Sequence, residues 1–245
     1  MNDAVGFLTV AGLALLPALG MVVGTIAAEW RELSKCSMGA VLHGAAGVAV
    51  AVVSVELMPR IVEDIAPWLL VAGFAIGAVA SVALVRGVRR AVGALDIGHT
   101  GPWMVYAAVA VDLLGDGLMI GIGSAVSGGL GLMLGLSQIV ANVPGGFVAV
   151  ANLRTKGVRR TVRLAAATSL FAPVVIGAAA GFWLLRDQSA QLQNAALAFV
   201  VGLLLLATIE DLVPQADEPQ TRRWITTASF SAGFIFFTLL SLYFR

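Results

Sequence analysis

The chain has 245 residues, of which 59% are hydrophobic and only 12% are charged, and its mean hydropathy is +0.95. Soluble domains carry about a quarter charged residues, so this composition excludes an ordinary soluble protein and predicts an integral membrane protein. The apolar runs are continuous and do not alternate, which favours helices over a β-barrel. The single cysteine, Cys36, excludes a disulfide framework within the chain.

Eight apolar segments follow one another along the chain, each near the roughly 20 residues that cross a bilayer. Short loops join them, and no soluble domain or long linker lies between them. We therefore predict an all-α bundle of eight transmembrane helices that forms one domain over residues 1–245. The predicted spans are residues 5–27, 38–58, 66–86, 102–126, 129–153, 162–185, 192–213 and 224–243.

Positive charges are concentrated in alternate loops, on one side of the predicted bundle. Cytoplasmic loops carry an excess of Lys and Arg, so we predict a bacterial-type plasma (inner) membrane protein with both termini on the outer face. Topology and anionic lipid account for the basic runs, so the predicted partner is the lipid bilayer and not nucleic acid. The basic residues of the inner loops are Arg31, Lys35, Arg86, Arg89, Arg90, Arg154, Lys156, Arg159, Arg160, Arg163, Arg222 and Arg223.

The second and seventh predicted spans match each other at an offset of 155 residues. These two spans run through the membrane in opposite directions, which is typical of the inverted repeats of secondary transporters. We therefore predict an inverted repeat of spans 1–3 and 6–8 around a central hairpin of spans 4 and 5, joined at residues 127–129. The matching positions are Gly47 and Gly202, Leu57 and Leu212, Pro59 and Pro214, and the acidic pair Glu56 and Asp211.

Two aspartates, Asp112 and Asp116, lie four residues apart inside the fourth predicted span. Residues at this spacing share one face of a helix, so both carboxyl groups can face a single cation or proton. Translocon-insertion scales give a cost of about 2.5–3.5 kcal/mol for an ionisable group at the bilayer centre. Such groups usually mark ion or proton pathways. This pair is the first candidate for a functional site.

The fifth predicted span carries two amides, Gln138 and Asn142, followed by Pro144, Gly145 and Gly146. Proline has no backbone donor and disrupts a helix, so we predict a helix break that frees carbonyl groups near the bilayer centre. The amide oxygens would then meet the two aspartates of span 4. Hydrogen bonding between closely packed helices is an equal alternative for the amides.

Four further polar residues are candidates for lining a transport pathway. His43 lies near the cytoplasmic end of the second predicted span and Glu56 near its outer end. Glu210 and Asp211 lie near the cytoplasmic end of the seventh. For the three carboxylates, an ordinary place at the membrane boundary is the alternative interpretation.

Short motifs in spans 4, 5 and 7 carry a family resemblance. They read G-D-G-L-M-I-G at residues 115–121, N-V-P-G-G at 142–146 and I-E-D-L-V-P-Q-A at 209–216. Together with eight spans, outer termini and the hairpin, they resemble the ZIP family of divalent-metal permeases. The resemblance implies a secondary permease, not an enzyme, that carries a divalent metal ion as its substrate and needs no prosthetic group.

The metal-binding motif of that family is incomplete in this chain. Asp112 takes the histidine position and Asp116 the glutamate position of helix 4, whereas helix 5 has neither residue. What remains is an all-oxygen ligand set, the two aspartates with Asn142 and Gln138. By ligand softness this set suits Mn²⁺, Mg²⁺ or Ca²⁺ better than Zn²⁺, although carboxylates also bind Zn²⁺.

Other functions are compatible with paired intramembrane carboxylates. Such groups can carry protons, so the chain is alternatively a proton-coupled carrier of another solute, or a relative that has lost the metal site and does not transport. Intramembrane aspartyl proteases also use two aspartates, but on different helices, which disfavours an enzyme. A small-residue face over residues 73–77 permits a homodimer.

Overall fold

A computed structural model of the protein is all-helical, and the described residues form no strand. The structure describes residues 3–30, 34–94, 100–218 and 221–244, and for a few of these only the backbone. The α-helices are α1 (Asp3–Leu13), α2 (Leu15–Trp30), α3 (Lys35–Ala51), α4 (Met58–Asp64), α5 (Pro67–Ala94), α6 (Thr100–Val126), α7 (Gly128–Thr155), α8 (Arg160–Ser169), α9 (Phe171–Leu185), α10 (Ala190–Ala207), α11 (Val213–Asp217) and α12 (Arg223–Phe244).

Within the described part of the chain, eight helical stretches are long and apolar enough to cross a membrane. The predicted number of spans and the multi-pass membrane character are therefore confirmed. The boundaries differ from the predicted ones by a few residues, most of all at the end of the second span, which extends to Asp64. Spans 1 to 8 are Gly6–Trp30, Cys36–Asp64, Pro67–Gly87, Val105–Val126, Gly128–Thr155, Arg160–Leu185, Ala190–Asp217 and Arg223–Phe244.

Prolines interrupt spans 1 and 6 at corresponding places. The α-helix is interrupted at Ala14 in span 1 and at Leu170 in span 6, and Pro17 and Pro173 each follow three residues later. A proline ring clashes with the carbonyl group four residues before it and cannot donate to it. The interruption therefore falls where each proline removes a helical hydrogen bond.

Spans 2 and 7 contain π-helical segments at Val52–Leu57 and Thr208–Leu212. Pro59 and Pro214 each follow two residues after the segment ends. Single π-helical turns inside α-helices are frequent at functional sites. The first segment contains Glu56, and the second contains Glu210 and Asp211.

Span 5 also contains a proline, but its α-helix is not interrupted as in spans 1, 2, 6 and 7. Helix α7 continues through Pro144 to its end, so the backbone does not break at Pro144, Gly145 and Gly146 as predicted. Proline removes one hydrogen bond, and span 5 packs extensively against span 1. A Cβ atom at Gly146 would clash with the backbone of Met21, so this glycine permits a close helix contact instead of a break.

The spans pack most extensively in four pairs: span 1 with 5, span 4 with 6, span 2 with 8, and span 3 with 7. Spans 4 and 5 also contact each other, so spans 1, 4, 5 and 6 form one group and spans 2, 3, 7 and 8 another. In every pair a glycine lies against the backbone of the partner helix, at a point where a Cβ atom would clash. These contacts are Gly20 with Ile139, Gly177 with Leu114, Gly47 with Phe230, and Gly202 with Phe74.

The small-residue face of span 3 is used inside the chain. A Cβ atom at Gly77 would clash with the carbonyl group of Phe199, and one at Gly73 would fall against the carbonyl oxygen of Ala195. Both contacts belong to span 7. The homodimer stays a prediction, and this face does not support it.

Candidate ion-binding site

A buried hydrogen bond between spans 4 and 5 forms the centre of the candidate site. The Nδ2 atom of Asn142 donates to Oδ2 of Asp116 over 2.7 Å. The two residues are only 3% and 7% exposed. Since a buried polar group must find a partner, each of these side chains stabilises the buried position of the other.

Gln138 completes this cluster one helical turn before Asn142. The Asn142 Nδ2 atom lies 3.1 Å from the main-chain oxygen of Gln138 and 3.2 Å from its Oε1. With Oδ2 of Asp116, three oxygen atoms therefore surround one nitrogen, which carries only two hydrogens. Carboxylate, amide and main-chain oxygens are the ligands that hard cations prefer.

Asp112 lies one turn before Asp116 but in a different environment, because Asp112 is exposed and Asp116 is buried. The two carboxyl groups are close enough to interact electrostatically. The predicted pair is thus one buried and one exposed carboxylate. Among the described residues, no three His, Cys, Asp or Glu side chains could together hold a metal ion, so a cation at this site would also need the amide and main-chain oxygens.

Glycines of span 4 explain why Asp116 faces span 5. A Cβ atom at Gly117 would clash with the carbonyl group of Val174, and one at Gly121 with that of Ala178. This face of the helix therefore packs closely on span 6. The neighbouring face, which carries Asp116, is left to contact span 5.

Glu56 lies outside this cluster and is already paired. Its Oε1 accepts a hydrogen bond from Nη2 of Arg60 over 2.7 Å, and its Oε2 accepts one from Oγ of Ser241 over 2.7 Å. Glu56 is 1% exposed. A buried carboxylate needs such partners, so this link between spans 2 and 8 accounts for its position, and its place in a transport pathway stays a prediction.

His43 is in contact with a residue that the sequence did not single out. Its Nε2 atom lies 3.2 Å from Oδ1 of Asp217, at the end of span 7. No local signal indicates this contact, since the two residues are far apart in the chain. Glu210 is exposed, and the side chain of Asp211 lies outside the described part of the structure.

A group of ion pairs and hydrogen bonds, which the sequence also does not indicate, links the ends of spans 1, 5 and 6. These ends lie at the basic end of the bundle, the end that carries the Arg-rich loops. Arg163 donates to both carboxylate oxygens of Glu29, over 2.7 Å and 2.8 Å. Arg160 lies 3.7 Å from the same carboxylate. Arg154 donates to the carbonyl oxygen of Ala28 over 2.8 Å. We call Glu29 and Arg163 the clasp.

A scan against protein-family models found no match to this chain, and no curated protein matches it. The likeness to ZIP permeases therefore depends on the motifs and the architecture alone.

Proposed function

We propose that the chain is a secondary permease that moves a divalent metal cation through a site between spans 4 and 5. The supporting observation is the set of three oxygen atoms, from Asp116 and Gln138, that lie within 3.2 Å of Nδ2 of Asn142. A cation that displaced this nitrogen would meet a carboxylate, an amide and a main-chain oxygen. Rotation of the Asn142 amide would then add its own carbonyl oxygen.

The ligand chemistry defines the class of substrate. All the available metal ligands are oxygen atoms, which favours Mn²⁺, Mg²⁺ or Ca²⁺ over Zn²⁺. Asp116 and the exposed Asp112 together carry two negative charges, which balance one dication and remove the repulsion between the two carboxylates. In this mechanism Asp112 attracts the cation and Asp116 holds it.

We infer that spans 1–3 and 6–8 form an inverted repeat, with spans 4 and 5 as its central hairpin. Residue-by-residue correspondence of the close contacts supports this inference. Gly47 and Gly202 are 155 residues apart, and Phe74 and Phe230 are 156 apart. Gly47 of span 2 contacts Phe230 of span 8, and Gly202 of span 7 contacts Phe74 of span 3. Span 1 also packs on span 5 as span 6 packs on span 4, each through a glycine, Gly20 against Ile139 and Gly177 against Leu114.

This symmetry favours a transporter, because such repeats place the substrate site at the interface between them, near the midplane. Asp116 and Asn142 belong to the two spans that the symmetry would exchange. The two four-helix groups supply the parts that would rock against each other as the cation crosses. By the distribution of basic loops, both termini face outwards from a bacterial-type inner membrane.

Flux through reconstituted vesicles tests the proposal. Vesicles loaded with a dication-sensitive dye would contain the wild-type protein, Asp116→Asn, or the double variant Asp112→Ala and Asp116→Ala, and Mn²⁺ and Zn²⁺ would be added outside. We expect at least a tenfold loss of flux in both variants. Ser124→Ala, which alters a buried hydroxyl group of the same span, is the matched control. Unchanged flux in the double variant would show that the site is assigned wrongly.

A second candidate is a proton-coupled carrier of another solute, or a relative that does not transport. One observation favours it: Asp116 already accepts a hydrogen bond from Asn142, so the carboxylate is satisfied without a metal. Calorimetric titration of the folded protein with a panel of dications separates the two candidates. Absence of binding would favour the second.

A further inference from the structure

The orientation of His43 determines which of its ring nitrogens carries a proton. His43 is 9% exposed, and its Nδ1 atom lies 2.8 Å from the carbonyl oxygen of Gly39, one turn earlier in α3. A carbonyl oxygen can only accept a hydrogen bond, so Nδ1 must be the donor. In a neutral ring the lone pair is then on Nε2.

That lone pair faces a carboxylate. Nε2 of His43 and Oδ1 of Asp217 are 3.2 Å apart. Two acceptors at this distance repel each other unless a positive species lies between them. Either a proton or a metal cation can fill that role, and both bind to the same pair of atoms.

We propose that His43 and Asp217 form a second metal-binding site, for a transition-metal dication, at the basic end of spans 2 and 7. A histidine that binds a metal usually donates its other ring N–H to a backbone carbonyl or a carboxylate, as His43 does to Gly39. Imidazole and carboxylate ligands suit Zn²⁺, Co²⁺ or Ni²⁺.

The observed spacing fits such an ion. A tetrahedral metal with bonds of about 2.0–2.1 Å separates two of its ligand atoms by about 3.3 Å, so the pair would need little movement. Water would supply the remaining ligands, because no third His, Cys, Asp or Glu of the described residues joins this pair. Thr221 packs against Gly39, and its Oγ1 is buried without a hydrogen-bond partner among the described residues.

This second site goes beyond the proposed permease function and is independent of it. It is built from spans 2 and 7, whereas Asp116 and Asn142 lie on spans 4 and 5. Each site can therefore be tested with the other removed. The exposed Asp217 can also be altered without disturbing a buried position.

Histidine-selective ¹⁵N labelling offers a direct test, because the chain contains two histidines, His43 and His99. The full chain would be labelled in detergent micelles on an Asp112→Asn, Asp116→Asn background and titrated with Zn²⁺. We expect Zn²⁺ to shift the Nε2 signal of His43 while its Nδ1 keeps the proton. His99, which lies outside the described residues, serves as the reference signal.

Matched carboxylate variants make the test specific. We expect Asp217→Asn to weaken the Zn²⁺ response of His43 at least tenfold, and Glu218→Gln, the exposed neighbour, to leave it unchanged. Equal losses in both variants would overturn the site. A His43 ring that responds to pH but not to millimolar Zn²⁺ would also overturn it, because the pair would then hold only a proton. A Zn²⁺ response without any dication flux in the wild type would leave this site standing and reject the permease.

Discussion

The side-chain nitrogen of Asn142 lies 2.7 Å from Oδ2 of Asp116, inside the bundle, and this bond connects spans 4 and 5. Its energetics are asymmetric. Removing one partner of a buried hydrogen bond leaves the other unsatisfied, whereas replacing both by apolar groups of similar shape is nearly neutral.

Asn142→Leu should therefore destabilise the protein by about 1–3 kcal/mol, because it leaves the Asp116 carboxylate buried without this donor. The double variant Asp116→Leu, Asn142→Leu should recover most of that loss. Denaturant unfolding in detergent, analysed as a double-mutant cycle, measures both effects. Strictly additive losses would mean that the two side chains do not interact.

Gly117→Ala should destabilise the bundle by about 1–3 kcal/mol, a typical penalty for overpacking. The new methyl group would clash with the carbonyl oxygen of Val174 in span 6. Gly12→Ala is the control, because a Cβ atom there meets no atom within 4 Å beyond its chain neighbours and its own helix backbone. Thermal unfolding in detergent compares the two, and an equal effect of both substitutions would contradict the close packing of spans 4 and 6.

The clasp should contribute more than its neighbouring ion pair. Glu29→Gln removes a carboxylate that accepts two hydrogen bonds from Arg163, with side-chain exposures of only 9% and 11%. We expect a loss of about 1.5–3 kcal/mol, as for hydrogen bonds to charged groups. Arg160→Gln alters a 70% exposed side chain, so we expect at most about 0.5 kcal/mol. The free energy of unfolding is the measurement, and the reverse order would contradict the geometry.

The exposed Cys36, the one cysteine of the chain, tests the predicted sidedness without further engineering. It lies at the basic end of span 2, which we expect to be cytoplasmic. A membrane-impermeant maleimide should therefore label it only after the cells are permeabilised. The variant Cys36→Ser, Ser189→Cys moves the thiol to the opposite end, at the start of α10, and should react in intact cells. The opposite labelling pattern would invert the topology.

The number of spans and one contact within the candidate site, that of Asp116 with Asn142, could be predicted, because their signals are local. A run of apolar residues predicts a span directly. Asp116 and Asn142 could be expected to meet because a tight connection joins their two helices at similar depth. Asp112 could not be separated from Asp116 in this way, since spacing along a helix does not show which turn is covered by a neighbour.

Proline effects depend on packing that a sequence does not reveal. Pro144 lies in an uninterrupted helix, whereas Pro59 and Pro214 each follow a π-helical segment. The contacts of His43 with Asp217 and of Glu29 with Arg163 join distant parts of the chain. No periodicity brings such pairs together, so only the folded arrangement identifies them.

The helix pairs are held together at points where a backbone meets a backbone across a glycine. Such a contact depends on one small residue and on main-chain atoms, and not on the identity of the opposing side chain. Exchange of the polar residues around Asn142 would therefore change the stability of the bundle without removing these backbone contacts. In a chain of this design the contacts that pair the helices are separate from the polar residues of the candidate site, so selection can alter the site without altering the fold.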